Sequence, residues 1–254
     1  MFIFKIIKFL LKQFNFEIEI YKPINNFKPN NRDINLNIGC GDYKIKGFIS
    51  LDYYSEYYYH KKKFDSTHYD IRKDNIPFES NSIDNIYCSH VIEHIETSHI
   101  EKFFKECHRV LKKNSILRIA CPDSCFLYQQ MLNYPEYYNW HHYYSKLEDS
   151  KKCFIDEVAT HRCDLKNFGL NDELVNFDYE ILMEELRKDG SFDENEPGRH
   201  INSWDFNRLS KISKEIGFSD TTQSKFWGSS SKDMQGKDMD LTHPEMSLYV
   251  EFKK

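Results

Sequence analysis

The seven cysteines of the chain, at 40, 88, 107, 121, 125, 153 and 163, include no Cys-x-x-Cys unit. They are odd in number and scattered, and only Cys121 and Cys125 lie close together. This argues against a disulfide framework and favours reduced core thiols in a cytoplasmic protein. A basic excess is also missing: the formal net charge is −5 with His neutral. A general polyanion binder would show the opposite balance, so no nucleic-acid partner is expected. No internal repeat or long low-complexity tract occurs.

The N-terminus lacks an apolar run long enough to cross a bilayer. Met1–Phe14 is interrupted by Lys5, Lys8 and Lys12. It also lacks a small-residue cleavage site, so a signal peptide is not expected. The three lysines share one helical face. Two readings stay open: a basic helix on the inner face of a membrane, or a helix docked on this domain or on a second copy of the chain. A Pro/Asn linker, 22–31, follows.

What is present suits one α/β domain with an insertion: 254 residues, 40% apolar. Short apolar runs predict strands at 34–38, 48–52, 68–71, 83–89 and 116–121, the form of parallel strands buried on both faces. The best helix pattern covers 91–112, with Asn114 able to end it. A helix is expected at 172–189. Another begins after Ser203 as N-cap and closes at Gly217. Strands near 221–227 and at 246–252 complete the chain. Only Gly39–Gly47 joins the first two strands, too short for a helical crossover, so a compact turn is expected there.

Residues 35–41, Asn-Leu-Asn-Ile-Gly-Cys-Gly, read as a strand breaking into a glycine turn. The next strand ends in Asp52. Glycines let a backbone approach a ligand closely, and a carboxylate can accept hydrogen bonds from two ribose hydroxyls. Together they suggest a nucleoside site. The simpler readings are a tight turn and a strand-end acid. A nicotinamide site fits poorly, because its Gly-x-Gly-x-x-Gly fingerprint would need glycine where Lys44 stands. His90-Val-Ile-Glu-His94 matches a zinc signature, but it sits at a strand exit, and no metal is expected.

Five segments in order resemble the class I S-adenosylmethionine-dependent methyltransferases, near the small-molecule and glycan-modifying branch. They are Leu36–Gly41, Ser50–Asp52, Asp70–Arg72 with Ile76–Phe78, Ser82–His94, and Glu106–Lys113. The resemblance implies a Rossmann-like fold with a largely parallel seven-stranded sheet, spanning 32–253, and S-adenosyl-L-methionine as cofactor. It implies that Gly39, Cys40 and Gly41 line the methionine end, with Asn37 where many relatives carry an acid. Asp52, followed by Tyr53, would hold the ribose. Asp70 and Ile71 would sit at the adenine, although Asp74 and Asp84 are similar acids nearby. Ser89 and His90 would flank the transferred methyl.

The insertion 122–201, rich in aromatics and histidines, is expected to cover the methyl group and recognise the acceptor. Arg162, Arg199, His94 and Tyr128 are the candidate substrate contacts. His90, then His200 and His161, are the candidate general bases. The expected reaction is methylation of an oxygen on a sugar, nucleotide-linked sugar or surface-polysaccharide precursor, a phosphate-like oxygen included. The alternatives are another small metabolite, or a non-catalytic protein with a cofactor fold.

Overall fold

The computed structural model describes residues 33–54, 57, 66–140, 150–162 and 178–254. The N-terminal segment and linker, His141–Tyr144 of the insertion, Cys163, and the first part of the expected 172–189 helix lie outside the described residues. Among the described residues no helix is long and apolar enough to cross a membrane. The described cysteines are all free thiols, and all but Cys125 are buried.

Seven strands form one sheet: β1 (Asn35–Ile38), β2 (Phe48–Asp52), β3 (Thr67–His68), β4 (Ile83–Ser89), β5 (Leu111–Pro122), β6 (Asp220–Gln223) and β7 (Ser247–Lys253). Their spatial order is β3-β2-β1-β4-β5-β7-β6. The first five run parallel, and β7 is antiparallel to both β5 and β6. This is the Rossmann-like, largely parallel sheet expected from the sequence. The β1–β2 connection is the compact turn anticipated, closed by Gly39 N–H on the Leu51 carbonyl at 2.8 Å and Tyr43 N–H on that of Cys40 at 2.9 Å.

Helix α1 (Thr97–Val110) buries Ile100, Phe103, Phe104, Cys107 and Val110, the three-to-four spacing of one helical face. These side chains join Leu36, Ile38, Leu51, Ile86 and Leu117 of the sheet in the main core. Helices α2 (Ser124–Asn133), α3 (Ser150–Ala159) and α4 (Tyr179–Arg187) form the insertion. It builds a separate core around Leu127, Tyr128, Phe154, Leu182 and Leu186. The chain returns to the sheet through buried Trp204 and α5 (Phe206–Ile216), which Gly217 ends at φ +103°.

Several boundaries differ from the sequence reading. The 91–112 helix is broken: a 3-10 turn covers Ile92–His94, Ile95 is extended, and α1 starts at Thr97. Asn114 has φ +66° but lies inside β5, not at a helix end. There the pairing with β4 slips from Ile83↔Leu111 to Asn85↔Ile116. Some bulges use the same left-handed geometry as a cap, and Asn114 supplies it here. The third strand stops at His68, leaving Asp70 in the following turn, and β6 ends at Gln223. The cap of α5 is Asp205, whose carboxylate accepts from Arg208 N–H at 2.8 Å, rather than Ser203.

Candidate active site

The carboxyl ends of β1, β2 and β4 open onto two adjoining cavities that share Gly39. One, of about 200 Å³, is bounded by Asn37, Gly39, Cys40, Gly41, Ser89 and His90. The other is a narrow cleft of about 50 Å³ whose walls include Asp52, Tyr53, Asp70, Ile71 and Phe192. The residues named from the glycine turn and the strand ends therefore come together. Gly39 is at φ +68°, and a Cβ there would meet Val91 Cγ2 at 2.1 Å. Gly41 is at φ +54° with nothing within 4 Å of an added Cβ, so its backbone faces open space.

The polar groups around these cavities are held in place. Asn37 is buried and donates to the Tyr43 carbonyl at 3.2 Å. Asp52 accepts from Tyr53 N–H at 2.8 Å. Asp70 is gripped by Arg72 through two bonds of 2.8 and 2.7 Å. Burial opposes its charge, but the Arg72 hydrogen bonds and charge outweigh that and lower its pKa. On the far wall stands Asp240, in a fully buried ion pair with Arg118 at 2.5 Å.

A third cavity, of about 420 Å³, lies between the sheet and the insertion. Its walls include His90, Glu93, His94, Glu157, His200 and His243. His90 borders both this space and the 200 Å³ cavity. Its backbone is at φ +52°, a costly conformation for a residue with a Cβ. Its N–H continues the sheet by donating to the Ala120 carbonyl at 2.8 Å. Its Nδ1 lies 3.1 Å from Glu93 Oε1, and its Nε2 lies 2.9 Å from Ser247 Oγ. Glu93 is buried; desolvation opposes its ionisation, but the His90 hydrogen bond and neighbouring histidines hold its carboxyl well below the usual range. Burial, then the proximity of His94, lowers the His200 pKa to about 4, leaving a neutral imidazole.

Other sequence candidates sit elsewhere. Arg162 is buried, and its guanidinium donates to the carbonyls of Glu185, Leu186 and Lys188 at the end of α4. That is a helix-capping role. His161 turns Nδ1 to the His200 carbonyl at 3.1 Å and does not border the 420 Å³ cavity. Arg199 pairs with Glu196, three residues away. Tyr128 packs in the insertion core against Phe154 and Tyr179. Of the four substrate candidates, only His94 borders the large cavity. Glu157, His243 and Phe192 were missed. Glu157 and Phe192 look in sequence like ordinary insertion residues, and His243 sits in an unpatterned polar loop.

Residues 48–119 match a family model described as "Methyltransferase domain". A comparison with curated proteins returns no match. Among solved structures the chain is similar to a SAM-dependent methyltransferase from Archaeoglobus fulgidus. That likeness has 14% identity, covers 98% of this chain and 94% of that one, and has a TM-score of 0.44. It is also similar to a TehB-like SAM-dependent methyltransferase from Corynebacterium glutamicum, with 13% identity, coverage of 99% and 96%, and a TM-score of 0.39. A third likeness is phosphoethanolamine N-methyltransferase 2 of Haemonchus contortus, solved with S-adenosyl-L-methionine, with 16% identity, coverage of 81% and 37%, and a TM-score of 0.38. Likenesses at this level assign no activity.

Proposed function

We propose that the chain is a class I S-adenosylmethionine-dependent methyltransferase that methylates an oxygen of a sugar, nucleotide-linked sugar or surface-polysaccharide precursor. The family-model match and the seven-stranded sheet are the premise. The observation that carries the acceptor reading is the position of His90. It borders both the cavity beside the glycine turn and the polar cavity under the insertion.

The residues present fit the cofactor. A carboxylate, Asp52, lines the narrow cleft together with Gly39, which also borders the 200 Å³ cavity, and Gly41 is bare toward open space. In this reading Asn37, Gly39, Cys40 and Gly41 hold the amino-acid end and Asp52 the ribose. Tyr53, Asp70 and Ile71 hold the base. When bound, S-adenosylmethionine supplies a methyl group on a positively charged sulfur that departs as a neutral thioether.

The protein's task is then alignment and proton removal. Orientation alone can contribute on the order of 7–11 kcal/mol. The Glu93 carboxylate can fix His90 with Nδ1–H toward it, which leaves Nε2 to accept a proton. An acceptor hydroxyl taking the place of Ser247 Oγ beside Nε2 would give its proton there as its oxygen bonds to carbon. Among the described residues, those bordering the large cavity include carboxyls and imidazoles but no Lys or Arg. This favours a neutral hydroxyl over a phosphate oxygen. The same carboxyls support a second reading, an amine acceptor in another small metabolite. The insertion is the acceptor cover in both readings.

The test is transfer of labelled methyl from S-adenosylmethionine to a panel of sugars, nucleotide sugars and amines. His90→Ala should lower kcat on a hydroxyl acceptor ~10²–10⁴-fold while S-adenosylhomocysteine affinity stays near wild type. Label appearing only on amines would overturn the oxygen reading. Tight S-adenosylhomocysteine binding with no turnover on any class would favour a binding protein.

A further inference from the structure

Glu93, His94 and His200 each aim a ligand atom at the same spot beside the large cavity, with these atoms all within 4.8 Å of one another. We propose that they hold a divalent transition-metal ion of the zinc type, with its open face toward that cavity. The set differs from the sequence signature, which would have used His90. Here His90 instead contacts Glu93 through Nδ1 at 3.1 Å, and His200 arrives from the far end of the insertion, 106 residues after His94.

The hydrogen bonding supports this assignment. Nδ1 of His94 is 2.9 Å from the Arg199 carbonyl, and Nδ1 of His200 lies against the Glu157 carbonyl. A carbonyl only accepts, so both rings donate from Nδ1. In the neutral ring Nε2 then carries a lone pair. Metal-binding histidines have this arrangement, with the other nitrogen fixed by a backbone carbonyl. Glu93 is 1% exposed, and among the described residues its carboxylate has no hydrogen-bond partner beyond the His90 Nδ1 contact. Its neighbours are His90 Nδ1 at 3.1 Å and His94 Nε2 at 3.9 Å. A buried carboxylate so poorly satisfied is costly unless a cation sits beside it.

The backbone around the site is tied together. The Glu93 carbonyl accepts from the amides of Ile201 and Asn202 at 2.9 and 3.0 Å. Asn202 Nδ2 donates to the Ile95 carbonyl at 2.9 Å, and Trp204 Nε1 to that of Ile92 at 3.1 Å. These bonds lock the His200 segment onto the turn carrying Glu93 and His94. Ligands about 2.1 Å from one ion lie roughly 3–4 Å apart, so the triangle closes with a contraction of about 1 Å. Two imidazoles and one carboxylate with an open face suit Zn²⁺, Fe²⁺ or Co²⁺ rather than Mg²⁺. On the methyl-transfer reading, the open face would hold the acceptor oxygen and ease loss of its proton to His90. The ion's presence does not depend on that reading.

The experiment uses the full chain, stripped with a chelator and titrated with Co²⁺. One equivalent should bind and give visible d–d absorption. Glu93→Gln, His94→Ala and His200→Ala should each weaken binding at least tenfold, while His99→Ala on α1 leaves it unchanged. Zn²⁺ should compete for the site and raise the wild-type Tm. Calorimetry with S-adenosylhomocysteine on the same chelated samples reports whether each variant is folded and the cofactor site intact. Failure of wild type to bind Co²⁺ stoichiometrically, or equal binding by a folded His200→Ala, would overturn the metal site. S-adenosylhomocysteine binding that persists in the chelated protein would leave the cofactor reading standing.

Discussion

The guanidinium carbon of Arg72 lies 3.7 Å from the centre of the Phe192 ring and 4.9 Å from that of Tyr53. Arg72 follows β3 and grips Asp70, whereas Phe192 belongs to the insertion, so this stack joins the insertion to the β2–β3 side of the sheet. Partly desolvated stacks of this kind contribute about 0.5–2 kcal/mol. A double-mutant cycle with Arg72→Ala and Phe192→Ala should show coupling of that order in urea unfolding. Hydrogen exchange over 191–201 should quicken in Phe192→Ala. Zero coupling would mean the stack is incidental.

The two glycines of the first turn should respond differently to alanine. At Gly39 a methyl group meets Val91 Cγ2 at 2.1 Å and the backbone is left-handed, so both clash and strain act. At Gly41 only the left-handed backbone opposes alanine, roughly 1–2 kcal/mol. Gly39→Ala should be the less stable variant, and adding Val91→Ala should recover part of the loss. Gly41→Ala should fold but bind S-adenosylhomocysteine more weakly, because its methyl would point into the space a ligand needs. Unchanged affinity in Gly41→Ala would place the ligand elsewhere.

Asp52→Ala removes the carboxylate assigned to the ribose hydroxyls. Charge-assisted hydrogen bonds contribute ~1.5–3 kcal/mol each, so calorimetry should show S-adenosylhomocysteine binding weakened at least tenfold. Full affinity in the folded variant would refute the assignment. The Asp70 carboxylate is committed to Arg72, so Asp70→Asn should cost stability as well as affinity.

The sheet side of the molecule was legible because its signals are local. Apolar runs gave the strands, and the nine-residue β1–β2 link excluded a helix. Gly39, Gly41, Asp52, Ser89 and His90 converge because each stands at the carboxyl end of a parallel strand. The insertion was not legible in the same way. Arg162 carries the charge expected of a substrate contact, yet it is spent on three carbonyls at the end of α4. Glu93 looks like an ordinary first-turn acid until the fold buries it between His90 and His94 and brings in His200 from the end of the insertion. Boundaries failed where one conformation serves two purposes. Asn114 is left-handed as anticipated, but at a bulge.

Glu157 offers a test by pH. It is 7% exposed, and burial, followed by the charge of Glu93, pushes its carboxyl up to about 8. The folded protein therefore keeps a proton there at neutral pH, whereas the unfolded chain releases it near the ordinary value of about 4.3. Because the folded pKa is raised, the stabilising contribution is complete below the unfolded value. It is lost progressively as pH rises from about 4.3 to about 8. His200 acts in the opposite sense, since its folded pKa is lowered to about 4. Its contribution is present above about 6.5 and fades as pH falls. Glu157→Gln keeps the shape and cannot ionise, so the His200 effect stays common to both proteins. The variant's stability relative to wild type should be smallest at pH 5 and rise by roughly 2–4 kcal/mol by pH 9. Urea unfolding at both pH values, with chelator present to exclude metal effects, measures this directly. A difference that does not change with pH would show that Glu157 does not titrate across that window.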